Sequence, residues 1–171
     1  MDVDDISGLS LIQQVLVRND GTVSHILESC AGEPISVVKL AEGFVPASVD
    51  CSFQLDPSDR LLDREILLVG RQSELPYVFA ESLIAFDRLP PEMQVELLST
   101  DISIGRLLAA HRLDTFREIL AVWAEPAGPC APHLRVVADD LLVARTYRIW
   151  SSGRLLFLIT EKFPASAFTG A

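Results

Sequence analysis

Glu161 stands where its neighbours call for an apolar side chain. Residues Arg154–Phe163 alternate with the two-residue period of a strand. That alternation puts Glu161 on one face with Leu155, Phe157, Ile159 and Phe163, while Thr160 and Lys162 point the other way. An ionised carboxylate on such a face costs on the order of several kcal/mol if unpaired. A cationic partner, a pKa raised by burial, or a ligand that uses the group has to offset that cost.

Other charged residues share the pattern. Arg64 falls on a face with Ile66 and Leu68, Arg145 with Val143, Tyr147 and Ile149, and Glu81 with Tyr77, Phe79 and Leu83. Lys39 shares a face with Ile35 and Val37. One such residue is usually a satisfied core polar group, whereas several together indicate an enclosed polar pocket. Arg145 and Glu161 sit on adjoining strands of one hairpin, so a purely structural ion pair between them is the competing explanation.

Two helix starts add to this set. Asn19-Asp20-Gly21-Thr22 and Ser103-Ile104-Gly105 each place a glycine where helix amides lack partners. Such amides attract anions, helped by the helix dipole. A plain capped helix explains either one alone; both together, with arginines in the strands, suit a small dicarboxylate.

Other chemistries find no support. There is no GxGxxG, no GxxxxGK[ST] phosphate loop and no Gly-x-Ser-x-Gly elbow. His25, His111 and His133 have no ligand spacing with one another or with a cysteine, so no metal site is expected.

Composition bounds the rest. A chain of 171 residues, 49% hydrophobic, is long enough for one domain, expected over 1–171, with a sizeable core. The net charge of −10 argues against nucleic acid, which needs a basic stripe. Charges interrupt every apolar run before it reaches membrane-spanning length, and Met1-Asp2-Val3-Asp4-Asp5 is unlike a basic signal peptide. A cytoplasmic location is therefore expected, with no membrane partner. Cys30, Cys51 and Cys130, odd in number and widely spaced, give no disulfide framework. Apart from Lys39 and Lys162, the basic residues are arginines, whose planar forks suit carboxylates.

The elements that must position these groups follow in order. Ile6–Arg18 and Thr22–Cys30 read as helices, and Pro34–Ala41 as a strand. From Glu42 to Asp63 the pattern fades into a loop-like stretch, long enough to serve as a lid. Arg64–Arg71 and Leu75–Ala85 form a hairpin. A helix opens at Pro90-Pro91 and runs to about Leu98, and another spans Ile104–His111. Thr115–Ala124 is assigned as a strand on its β-branched and aromatic content. Glu125–His133, with three prolines and a glycine, is expected to be a surface loop. Leu141–Trp150 and Arg154–Phe163 close as a hairpin through Ser151-Ser152-Gly153. The fold class is α+β: a single antiparallel sheet of about six strands with inserted helices.

The same residues resemble a known family, the chorismate pyruvate-lyases, in both its ubiquinone-pathway branch and a bacterial branch that makes hydroxybenzoate for secondary metabolism. The matching segments are Glu42-Gly43-Phe44, Arg64-Glu65-Ile66-Leu67-Leu68, Ile104-Gly105-Arg106, Arg145 in its strand, and Thr160-Glu161-Lys162-Phe163. Similarity to the second branch is closer and runs from about Asn19 to Phe163. It adds Gly70-Arg71, Ala80-Glu81-Ser82-Leu83-Ile84, Asp87-Arg88-Leu89-Pro90, the Thr115-Phe116 region and Ala144-Arg145-Thr146-Tyr147-Arg148.

The resemblance implies a sheet that encloses its ligand under helical flaps. It implies conversion of chorismate to 4-hydroxybenzoate and pyruvate, a redox-neutral elimination with no metal or organic cofactor. The partners are then the anionic substrate and the aromatic acid product, on a monomer or a homodimer. Carried over residue by residue, Arg64 resembles the arginine that clamps the ring carboxylate, with backbone amides near Gly21-Thr22 and at Ile104, next to Gly105, completing its cradle. Glu161 resembles the carboxylate at the ether oxygen, where a proton is shuttled. The ubiquinone-pathway enzymes carry an arginine where this chain has Glu81. Arg71, Arg145 or Lys39 is then expected to hold the second anionic group, with Glu81 orienting Arg145. The alternatives are a same-fold enzyme on a related substrate, forming 3-hydroxybenzoate or acting on a natural-product intermediate, and a non-catalytic effector module for small aromatic acids.

Overall fold

A computed structural model describes residues 8–169. One six-stranded antiparallel sheet runs in the order β1-β2-β3-β6-β5-β4. Its strands are β1 (Ile35–Pro46), β2 (Arg60–Gly70), β3 (Pro76–Ala85), β4 (Phe116–Pro126), β5 (Leu141–Ser151) and β6 (Arg154–Pro164). The helices are α1 (Leu11–Arg18), α2 (Val23–Ala31), α3 (Pro91–Ser99), α4 (Ile104–Ala110) and the single turn α5 (Ala131–Leu134). Among the described residues no helix is long and apolar enough to cross a membrane.

Local chemistry sets several of these boundaries. Ser10 and Gln13 form a reciprocal capping box that starts α1. Gly32 ends α2 at φ 70°, the left-handed conformation that glycine adopts without cost. The β5–β6 hairpin turns on two residues, Ser152 and Gly153, both at positive φ, the geometry that matches the twist of the flanking strands.

The helices α1 to α4 pack on one face. Leu16, Val17 and Leu27 join Ile66, Leu68, Val78, Val143 and Phe163 in one cluster. Met93, Leu97, Leu107 and Leu108 join Leu62, Ile84, Ile149, Phe157 and Ile159 in a second. The opposite face is covered partly by α5, through Ala131 and Leu134 on Leu67, Phe79 and Leu142.

Three expectations change. The stretch from Glu42 is not a loop-like lid: β1 continues through Pro46, paired with β2 as far as Arg60, and only residues 47–59 leave the sheet, with short 3-10 turns at Ala47–Val49 and Cys51–Phe53. An edge strand with one row exposed shows weak alternation, which hides it in sequence. Within 47–59, Phe53 is buried against Leu61, Ala85 and Leu155 and so anchors that segment. The proline-rich Glu125–His133 stretch contributes the end of β4, a tight turn and α5. Leu155 also leaves the face of Glu161, because a bulge opposite Ile149/Trp150 shifts the alternation there. The first residues of the expected helix Ile6–Arg18 lie outside the described residues.

Candidate active site

Between the two apolar clusters on the helix-covered face lies a band of buried polar residues: Arg64, Ser82, Arg145 and Glu161 from the sheet, with Ser24 and Ser103 from the helices. Register explains why they meet. Arg64 pairs with Ser82, and Glu161 pairs with Ala80 on one side and Arg145 on the other. Directly paired residues share a face, so these side chains project together toward α2 and α4.

Glu161 is 8% exposed and Arg145 2%. Arg145 Nε donates to Glu161 Oε2 at 2.9 Å, and the Tyr147 hydroxyl donates to Oε1 at 2.9 Å. The Arg145 guanidinium also donates through Nη1 to the Asn19 carbonyl at 2.8 Å and lies over the Tyr147 ring, 4.7 Å from its centroid. Burial works most strongly against the Arg145 charge, but the Glu161 carboxylate and Tyr147 together outweigh it and raise the Arg145 pKa. Burial and the nearby Glu161 charge both push the Tyr147 phenol upward, so it stays a neutral donor. The structural ion pair anticipated for the hairpin is therefore present.

It does not fill the space. A narrow cavity of about 40 Å³ remains, floored by Ile66, Leu68, Ala80, Ser82, Tyr147, Ile159 and Glu161. Its cover consists of Gly21–Ser24 at the start of α2 and Ser103–Gly105 at the start of α4, with Arg117 of β4 in the wall. The two helix starts touch so closely that a Cβ on Gly105 would lie 2.5 Å from Thr22 Cγ2. Ser103 caps α4 by accepting from the Arg106 amide, and Arg106 itself turns outward to pair with Glu28 of α2.

Arg64 is 1% exposed and lies beside this cavity rather than among its lining residues. Its Nη2 donates to the Ile102 carbonyl at 3.0 Å and its Nε is 3.3 Å from Glu42 Oε2. Burial lowers its pKa, with Glu42 and Asp101 acting in the opposite sense. It remains a cation, since guanidinium starts far above neutrality. Nη1 of Arg64 and Nη2 of Arg145 are buried without a protein partner.

The remaining sequence candidates are placed elsewhere. Glu81 follows Ala80, the partner of Glu161, and so points to the opposite face, where it pairs with Lys162 at 3.5 Å and cannot orient Arg145. Lys162 also pairs with Glu125 at 3.0 Å. Arg71 is exposed in the β2–β3 turn, with its Nε on Ser36 Oγ. Lys39 is engaged by Glu42 at 3.0 Å, a contact made possible by the β1 bulge that brings residues 39 and 42 to one face. Glu42, Tyr147 and Arg117 are the residues whose parts were missed. A bulge at Ile119/Ala121 breaks the alternation that would have marked Arg117 as inward-facing.

The sequence family described as "Chorismate pyruvate-lyase Rv2949c-like" matches residues 17–169. A chorismate pyruvate-lyase of Mycobacterium tuberculosis (strain ATCC 25618 / H37Rv) is 34% identical, over 98% of this chain and 86% of the relative. One from Mycobacterium leprae (strain TN) is 32% identical, over 96% and 80%. Among solved structures, the effector domain of PhnF from Mycobacterium smegmatis superposes with a TM-score of 0.67 at 12% identity, covering 86% of this chain and 90% of that one. The C-terminal domain of a histidine utilization repressor from Pseudomonas syringae pv. tomato str. DC3000 gives 0.63 at 11% identity, over 80% and 96%. At such identities the likeness concerns the fold alone.

Proposed function

The chain belongs to the Rv2949c-like chorismate pyruvate-lyase family, and from that membership we propose that it cleaves chorismate to 4-hydroxybenzoate and pyruvate in the cavity beneath α2 and α4. The observation that carries the reading is a buried carboxylate, Glu161, held on both oxygens yet still facing enclosed space.

The bond changes are those of an elimination. The ether bond at ring carbon 3 breaks, the hydrogen at carbon 4 leaves as a proton, and enolpyruvate gains a proton to become pyruvate. Aromatisation of the ring drives the step. Glu161 is the group that handles the proton at the ether, because each of its oxygens keeps lone-pair capacity beyond its one bond. Arg145 and Tyr147 hold its orientation, so little reorganisation is needed as charge moves.

The ring carboxylate belongs with Arg64, whose Nη1 is the donor without a protein partner. First amides of α2 and α4, around Thr22 and Ile104, lie at the cavity cover and add donors on that side. The apolar floor of Ile66, Leu68 and Ile159 suits a flat ring and keeps water out.

Incubation with chorismate, followed by chromatographic identification of the aromatic acid, tests the reading. 4-Hydroxybenzoate with equimolar pyruvate is the expected result; 3-hydroxybenzoate would reassign the product. A second reading is a non-catalytic receptor for small aromatic acids, since the effector domain of PhnF has the same fold. Tight binding of an aromatic acid without turnover would favour it. Arg64→Ala is expected to raise KM about ten- to a hundredfold with a smaller change in kcat, the loss of a charge-assisted contact.

A further inference from the structure

Three arginines reach the helix-covered face around the cavity, and they differ in how their charge is met. Arg64 has Glu42, and Arg145 has Glu161. Arg117 has neither: among the described residues it makes no ion pair, and its one hydrogen bond runs from Nη1 to the Asp20 carbonyl. Its Nε is buried without a protein partner. The side chain nonetheless lines the cavity together with Tyr147 and Glu161. It pairs in register with Ile149, two residues along β5 from Tyr147, and its positive charge is felt at the Tyr147 hydroxyl.

A guanidinium in the wall of a partly closed pocket, with open donors and no carboxylate of its own, is a seat for an anion. Chorismate carries two carboxylates, and the reading above assigns only the ring carboxylate, to Arg64. The second hangs from the enolpyruvyl ether, which that reading puts at Glu161, on the Tyr147 and Arg117 side. Of the other cations, Lys39 is engaged by Glu42 and Arg71 lies in an exposed turn, while Arg145 keeps an unpartnered Nη2 but has its charge met by Glu161.

We propose that Arg117 binds the enolpyruvyl carboxylate and thereby selects dicarboxylate ethers over aromatic monocarboxylates. The assignment rests on the lyase reading. Its bond to Asp20 would also let an occupied Arg117 steady the Asn19–Thr22 segment that covers the site.

Two ligands separate this role from a structural one. 3-(1-Carboxyvinyloxy)benzoate, an aromatic ether, carries both carboxylates; 4-hydroxybenzoate carries one. Calorimetric binding of each to the wild type, Arg117→Gln and Arg117→Lys, together with KM for chorismate, gives the test. Arg117→Gln should weaken the ether about ten- to a hundredfold and raise KM for chorismate similarly, with 4-hydroxybenzoate changed by less than about twofold. Arg117→Lys should recover part of the loss. Equal weakening of both ligands would mean that Arg117 only holds the Asp20 loop, and no weakening of either would mean that it binds nothing; each overturns the proposal. A wild type that binds neither ligand and leaves chorismate intact would overturn the lyase reading, and this assignment with it.

Discussion

Arg145 and Glu161 face each other at one step of the β5–β6 hairpin, 2.9 Å from Nε to Oε2, with Tyr147 closing on the other carboxylate oxygen. The pair lies where the two apolar clusters of the helix-covered face meet. It is both a structural tie and the mounting of the proposed proton-handling group. The two roles separate under mutation: either change strands a buried charge, but truncating the cation also removes its bonds and packing, whereas an amide in place of the carboxylate still accepts from Arg145.

Arg145→Ala should therefore destabilise the fold by about 3–5 kcal/mol, the usual cost of removing one member of a buried ion pair. Glu161→Gln keeps the shape and a hydrogen-bond acceptor for Arg145, so its stability loss should be smaller, while kcat falls about a hundredfold or more. Urea unfolding beside steady-state kinetics checks both. Near-normal turnover in Glu161→Gln would remove the catalytic assignment.

Tyr147 carries a pH signature. Burial, then the Glu161 charge, raises its pKa above the ordinary phenol value of about 10. The unfolded chain releases this proton near the ordinary phenol value while the folded one retains it. The stability it contributes is thus intact below about pH 10 and is lost as pH climbs above that. Alkaline unfolding followed by circular dichroism should begin at lower pH in the wild type than in Tyr147→Phe, each compared with its own stability at neutral pH.

Glu33 acts at the other end of the scale. It ties the start of β1 to the β2–β3 turn by accepting from the Ser73 hydroxyl at 2.5 Å, the Gln72 and Ser73 amides at 2.6 and 2.9 Å, and the Tyr77 hydroxyl at 3.2 Å. Those donors, the Ser73 hydroxyl foremost, lower its pKa from 4.5 to about 2. A depressed carboxylate stabilises the fold above its unfolded value, and that contribution drains away as pH falls from 4.5 toward about 2. Glu33→Gln should lower Tm at neutral pH and flatten its decline across that window. An unchanged slope of Tm against pH would remove Glu33 from the acid response.

Gly105 tests the cover. With Thr22 Cγ2 only 2.5 Å from where a Cβ would lie, Gly105→Ala must displace the Thr22 side chain and strain the contact between the starts of α2 and α4. Activity should fall about tenfold or more through misplaced contacts, far beyond any loss explained by helix propensity, which favours alanine over glycine by about 1 kcal/mol. Adding Thr22→Ser removes the clashing methyl and should restore part of the activity. A double variant no better than Gly105→Ala would point to a cause other than this contact.

Several particulars were legible before any coordinates. Period-two patterns in β2, β3, β5 and β6 identified the central strands and put Arg64, Arg145 and Glu161 inside, because a strand buried on one face must repeat its apolar residues every second position. The turn residues Ser152 and Gly153 announced the hairpin that brings Arg145 to Glu161. Glu81 was misplaced because alternation tells which residues of one strand share a face but not which face of the sheet that is. Only the pairing of Ala80 with Glu161 settles the question.

What the chain's own order of residues determined is the class of fold, the identity of the inward charges and the family to which they belong, since these depend on local periodicity and on matched segments. Tertiary structure alone decided which of those charges meet. It paired Arg145 with Glu161, turned Glu81 to the far side toward Lys162, drew Glu42 onto Arg64 through a bulge, and set Arg117 in the cavity wall. Strand register and bulges fix these encounters, and both are set by long-range packing that no single segment encodes.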